Sequence, residues 1–377
     1  MRCFHSPLAR WLIPFACIFI VVVPAAPAAQ LVLVAGGREE QVPALATKAK
    51  LNGPFGVEFN ASGTLFFVEM PGNRVCAVDA HGVLKTVAGT GEKGNSGDGG
   101  PALSATFDGM HNLAIGARGD IYIADTWNHR VRKLDPAGKT ITAFAGTGRK
   151  GFSGDGGPAD KAEFGAVYCV ALQPDGRRLL IADLDNRRIR AITLAPGTGN
   201  PIDDTGNPVA GTVETVAGNG ERGVPTDGAL AREAPLADPR AVAADARGNI
   251  YILERGGNAL RVVDTAGHIR TVAGKGTKDC RDEEGREPSP LNGPKHLCID
   301  LDGNVVIADT ENHMIRKYLP AEHKLVRIAG TGQAGAAGLD GPPLAAQLNQ
   351  PHGVFVHPTG TLYIADSSNN RIVKITP

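Results

Sequence analysis

A ten-residue phrase recurs six times along this chain of 377 residues, and that recurrence limits its possible folds more than any other feature. The copies are LFFVEMPGNR (65–74), IYIADTWNHR (121–130), LLIADLDNRR (179–188), IYILERGGNA (250–259), VVIADTENHM (305–314) and LYIADSSNNR (362–371). Their acidic residues fall at Glu69, Asp125, Asp183, Glu254, Asp309 and Asp366, at intervals of 56, 58, 71, 55 and 57. Length alone would suggest two or three domains. A period of this size over nearly the whole chain makes one repeating architecture more economical.

Each period reads as four short strands. In the second copy these are HNLAIGA (111–117), GDIYIAD (119–125), RVRKLD (130–135) and TITAFAG (140–146). They are rich in β-branched residues, bounded by Gly, Asp, Asn or Pro, and too short for helices. Four-stranded sheets repeated about an axis make a β-propeller, so the expected fold is all-β with six blades. The sixth period ends at RIVKITP without a fourth strand, whereas QLVLVAGG (30–37) precedes the first and looks like KTVAGTG and RTVAGKG, both fourth strands. The N-terminal strand is therefore expected to complete the last blade, which removes exposed edges. The long interval is explained by an insertion, APGTGNPIDDTGNPVAG (195–211), in the outer hairpin of blade 3.

The units resemble NHL repeats, with P-x-G-V followed by G-x-L-Y-I-A-D-x-x-N-x-R-I, as in Pro351-His352-Gly353-Val354 through Arg371. The linkers AGTGEKGNSGDGGPALSA (88–105) and AGTGRKGFSGDGGPADKA (145–162) are similar to those of many exported bacterial NHL proteins. The resemblance implies a six-bladed propeller. It implies no single activity, because scaffold and function separate in such folds.

The GDGGPA phrase lacks the GxxxxGK[ST] order of a P-loop. It reads as scaffold, with Asp98 or Asp155 bonded to nearby backbone. A calcium or phosphate site at these residues is the less economical alternative. The acid, Asn and basic residue of the recurring phrase (Asp125, Asn128, Arg130) recur in nearly every blade. An active site is normally made once, so these read as a capped hairpin and an ion pair between blades.

Residues 1–28 have the plan of a secretory signal peptide: basic residues, the apolar run WLIPFACIFIVVV, and small residues Ala26 and Ala28. The mature unit is then a single propeller over 29–377, expected in the periplasm or outside the cell, and monomeric. Of the remaining cysteines, Cys280 and Cys298 are the plausible disulfide pair. Lys plus Arg equals Asp plus Glu at 39 each, which argues against nucleic acid as a partner despite the basic patch Arg187, Arg188 and Arg190.

Positions that repeat in the fold but vary in identity are where a specific site can lie. The start of each first strand is such a position, and it should ring one mouth of the central channel. It is occupied by Phe55, His111, Tyr168, Arg240, Lys295 and His352, with His296 one residue out of phase. Trp127 and Arg255 are non-repetitive hairpin residues on the same face. This mixed set suits an anionic or polar ligand, so the expected function is a binding module for a protein, peptide or glycan. The alternative is a metal-dependent lyase or hydrolase. The resembling peptidyl-hydroxyglycine amidating lyase uses channel-mouth histidines to hold zinc, which would fall here on His111 and His352. Its catalytic tyrosine lies in an Asp-to-Asn hairpin, and the six hairpins here contain none.

Overall fold

A computed structural model describes residues 1, 28–194, 211–274 and 290–376. From channel to rim, blade 1 holds Pro54–Phe59, Leu65–Glu69, Arg74–Val78 and Val83–Ala88, and blade 2 holds Asn112–Ile115, Ile121–Asp125, Arg130–Leu134 and Ile141–Ala145. Blade 3 holds Val167–Leu172, Arg178–Asp183, Arg188–Thr193 and Val213–Ala217. Blade 4 holds Pro239–Ala244, Ile250–Glu254, Ala259–Val263 and His268–Ala273. Blade 5 holds His296–Ile299, Val305–Asp309, Met314–Leu319 and Lys324–Ala329. Blade 6 holds Gly353–Val356, Leu362–Asp366 and Arg371–Thr376, completed at the rim by the N-terminal strand Gln30–Gly36. Neighbouring strands are antiparallel throughout, and the innermost strands touch in the order 1-2-3-4-5-6-1, so the ring is closed.

The rim strands carry a device that alternation alone does not reveal. Each has a one-residue register shift before its final Ala, as between Leu33 and Ala35 or Ala143 and Ala145. A bulge of this kind turns later side chains to the opposite face. In the N-terminal strand Leu31 and Leu33 pack with Val306, Val354 and Ile364 between blades 5 and 6, whereas Ala35 packs with Phe67 and Ile372 between blades 6 and 1. One strand thus seals two interfaces. Leu31 is fully buried, worth about 2 kcal/mol in apolar area alone.

The glycine after each bulge has a positive φ, and a Cβ there would strike a carbonyl oxygen of the neighbouring hairpin. At Gly36 the φ is 82° and the Cβ would lie 2.2 Å from Asn370 O; at Gly218 the values are 90° and 2.1 Å from Arg187 O. Gly36 thus shares the constraint of the internal rim strands.

The GDGGPA linkers are edge covers. Gly99 N–H donates to Ile141 O at 2.8 Å, Ile141 N–H to Gly100 O at 3.2 Å, and Ala102 N–H to Lys139 O at 2.8 Å, so the linker lies along the rim strand of blade 2. The linker into blade 6 treats the N-terminal strand the same way: Leu31 N–H donates to Gly341 O at 2.9 Å and Asp340 N–H to Leu31 O at 2.8 Å. This protects strands that would otherwise offer unpaired backbone to other chains. In blades 1 and 4 the cover is regular enough to count as a fifth strand, at Ala44–Leu45 and Ala229–Leu230.

Candidate functional site

Every second strand ends, and every third begins, on the face where the linkers enter the first strands. Asp125 shows how that face is built. Its buried carboxylate accepts from Asp108 N–H at 3.0 Å, Asn128 Nδ2 at 2.9 Å and Arg130 Nε at 3.4 Å. Asp366 repeats this with Asn349 N–H, Asn369 and Arg371, each at 2.7 Å. In blade 4 the arginine comes from Arg261, two residues further along, at 2.9 Å from Glu254. Two expectations are corrected here. The ion pair lies within a blade, not between blades, because acid and base face each other across one hairpin. The linker acids serve arginines: Asp98 accepts from Arg130 at 2.8 Å and Arg132 at 2.9 Å, and Asp155 accepts from Arg190 at 2.6 Å. Arg190 is fully buried, Arg188 stacks on Phe152 at 3.7 Å and Arg187 donates to Gly220 O at 3.1 Å, so all three arginines 187, 188 and 190 are engaged in the scaffold.

Five of the six varied positions form a chain of contacts around the mouth. His352 stacks on Phe55 at 4.0 Å, Phe55 meets His111 edge-on at 5.2 Å, and His111 meets Tyr168 at 4.5 Å. The Arg240 guanidinium lies over Tyr168 at 3.7 Å. Trp127 joins His111 from the rim at 5.7 Å. The result is an aromatic arc over blades 6, 1, 2 and 3 facing a cationic arc of Arg240, Lys295 and Arg255 over blades 4 and 5.

The electrostatics follow. Burial, then the Arg240 charge, holds the His111 ring well below its ordinary pKa; burial, then Lys295, does the same to His352. His111 Nδ1 donates to Gly109 O at 2.7 Å and His352 Nδ1 to Gln350 O at 2.8 Å, which leaves both Nε2 atoms as lone-pair acceptors. Burial lowers Arg240 to about 10. Burial, reinforced by Arg240 and Arg255, lowers Lys295 to about 8. Arg255 lies 3.7 Å from Glu311. Among the described residues no ion pair neutralises Arg240 or Lys295. Nor is any group of three or more His, Cys, Asp or Glu there placed to hold a metal ion, and Phe55 packs against both His111 and His352.

His296 does not join the mouth. Its one-residue phase offset sends it across the axis, where the side-chain amide of Asn112, in the opposite blade 2, lies 2.9 Å from His296 Nε2. Asn112 Oδ1 accepts from Val170 N–H of blade 3 at 3.0 Å, and Val354 N–H of blade 6 faces His296 Nδ1 at 3.3 Å. This buried pair is a crossbar under the mouth. Sequence reasoning missed Asn112; the phase offset of His296 was the available signal. Of the expected Cys280–Cys298 pair, Cys280 lies outside the described residues, as do residues 2–27 of the expected signal peptide.

A closed ring of six four-stranded blades, with one varied position per blade at its mouth, defines a propeller whose scaffold repeats and whose site does not. Its repeating units are of the NHL type, and the fold they build is a six-bladed propeller. Family models match as NHL repeat over residues 107–134 and 348–375 and as Teneurin NHL domain over residues 202–284. The chain is 28% identical over 285 residues to the Arabidopsis thaliana chloroplastic protein SUPPRESSOR OF QUENCHING 1, covering 71% of this chain and 25% of that protein. It is 24% identical over 326 residues to Bos taurus NHL repeat-containing protein 2, covering 80% and 43%. The chain thus spans less than half the length of these relatives. Among solved structures, an auxiliary nutrient binding protein from Bacteroides ovatus superposes with a TM-score of 0.63 at 14% identity, covering 93% of this chain and 77% of that one.

Proposed function

We propose that this chain is an exported binding module that captures an anionic ligand, a peptide carboxylate or an acidic glycan, at the channel mouth. The observation that carries this reading is the pair Arg240 and Lys295. Two cations held partly out of water, with no ion pair to neutralise either among the described residues, are waiting for a negative charge. The aromatic arc opposite them offers flat apolar surface to the ligand's body. The crossbar gives the mouth a floor. The Bacteroides ovatus neighbour, named for nutrient binding, puts the same fold to binding. Residues 1–28 would act as a signal peptide. Among the described residues no helix is long and apolar enough to cross a membrane.

The test is a thermal-shift and calorimetric screen of carboxylate- and phosphate-bearing sugars and acidic peptides. Arg240→Ala or Lys295→Ala should weaken a hit by about tenfold or more. Lys139→Ala and Arg177→Ala, exposed cations on the opposite face, should leave it unchanged. Lys295 faces Arg240, Arg255, His352 and Glu311, and is charged below about pH 8. Affinity should therefore fall as pH rises through 8, and Lys295→Arg, which stays charged, should abolish that fall. Equal losses on both faces would sink the reading. The tautomer at His111 and His352 is the one a zinc ligand needs, so the enzymatic alternative has its own measurement. Near-stoichiometric zinc after dialysis, lost in a His111→Ala, His352→Ala double variant, would replace the binding module with a metal-dependent enzyme.

A further inference from the structure

Below the crossbar the channel opens into a second chamber of about 330 Å³, lined by all six innermost strands and by none of the six mouth residues. Its walls are apolar, including Leu113, Val170, Val242, Leu297, Val354 and Phe355. The polar groups facing it are few. Cys169 and Cys298 are thiols that burial pushes up to about 12, so they are neutral. Burial holds the His296 ring down at about 4, so it too is neutral. Asp300 at the outer lip is paired with Lys317 at 2.9 Å and accepts from Asn304 at 3.0 Å. That leaves Glu58. Its carboxyl is partly buried in the wall and accepts from Ile115 N–H, and among the described residues it meets no cationic side chain. Burial raises it to about 8.

An apolar chamber with a single unpaired acid has the composition of a ligand pocket, and its volume lies at the lower end of that class. We propose that this chamber is a second site that binds a small organic cation, an ammonium group on an apolar body, through an ion pair with Glu58. The volume equals that of roughly ten liquid waters, which bounds the ligand to about that many non-hydrogen atoms. The two ends of the channel then select opposite charges, with the His296–Asn112 crossbar between them. The inference does not rest on the mouth's ligand.

Benzyltrimethylammonium, a permanent cation of suitable size, is the probe, titrated calorimetrically into the full chain. Benzyl alcohol and benzoate serve as neutral and anionic controls. The cation should bind at least tenfold more tightly than either. With the acid near 8, only about one carboxyl in ten is ionised at pH 7, so binding at pH 7 should be about tenfold weaker than at pH 9. The isosteric Glu58→Gln should lose at least tenfold in affinity and the pH dependence together. If that variant misfolds, the wild type still decides: at pH 7.5 binding should release a proton, read as a buffer-dependent enthalpy. Benzyl alcohol binding as well as the cation, an unchanged Glu58→Gln, or no proton release would each overturn the proposal. So would calcium ion alone displacing the probe at equimolar concentration.

Discussion

Asp98 meets two buried arginines. Arg130 is nearly buried, and Arg132 is wholly buried with its guanidinium over the Phe107 ring at 4.8 Å. Arg132 also donates to Thr106 O at 2.8 Å and Ser96 O at 3.0 Å, so it stitches the linker to the third strand of its blade. Removing the acid leaves that charge in place without its counter-ion, and a buried charge deprived of its partner costs more than the pair contributed. Asp98→Ala should therefore destabilise the protein by about 3 kcal/mol in denaturant melts. Arg132→Met, which removes the charge as well, should cost less than Asp98→Ala. The reverse order would show that the linker acid is surface decoration. The sequence made this acid conspicuous through the repeated GDGGPA, but not its partner. Arg130 and Arg132 lie 32 and 34 residues downstream of it, and only the folded hairpin brings them together.

At the scale of the element, the rim strand and its glycine carry the clearest lesson about legibility. The six recurring phrases made the strands and their order readable, because a strand needs only local alternation and turn residues, while the insertion expected at 195–211 lies almost wholly outside the described residues. The bulge before each final Ala was not readable. Alternation predicts one buried face, and the bulge exchanges faces midway so that one strand serves two interfaces. The same holds at the site. The ring from Phe55 to His352 was found by aligning repeats, whereas the His296–Asn112 crossbar joins opposite blades that no repeat alignment relates. The glycine permits a separation of causes. Gly218→Ala meets both a φ of 90° and a carbonyl oxygen at 2.1 Å, while Gly82→Ala meets a φ of 73° with open space around it. Left-handed backbone alone costs about 1 kcal/mol. Gly218→Ala should lower stability by about 3 kcal/mol and Gly82→Ala by about 1 kcal/mol, measured by urea unfolding. Equal losses would mean that the close approach to Arg187 O relaxes freely.

For the whole molecule the decisive contact is between its two ends. Gln30 pairs with Thr376 and Gly36 with Arg371, and the linker into blade 6 then covers the outer side of the same strand. A propeller closed this way gains more than one sheet's hydrogen bonds. Leu31 and Leu33 fill the seam between blades 5 and 6, and Ala35 fills the seam between blades 6 and 1. Losing the strand would expose the rim edge of Arg371–Thr376, open both seams and leave the Asp340–Gly341 cover without a partner. The channel would suffer as well, because the mouth residues His352 and Phe55 stack across the 6–1 seam. A protein beginning at residue 38 should therefore melt at least about 10 °C below one beginning at residue 29, or fall out of solution through its exposed edge. It should also lose affinity at the mouth although every mouth residue is present. A truncated protein that melts and binds like its longer counterpart would show that blade 6 stands without its fourth strand, and that the ring is held by its inner strands alone.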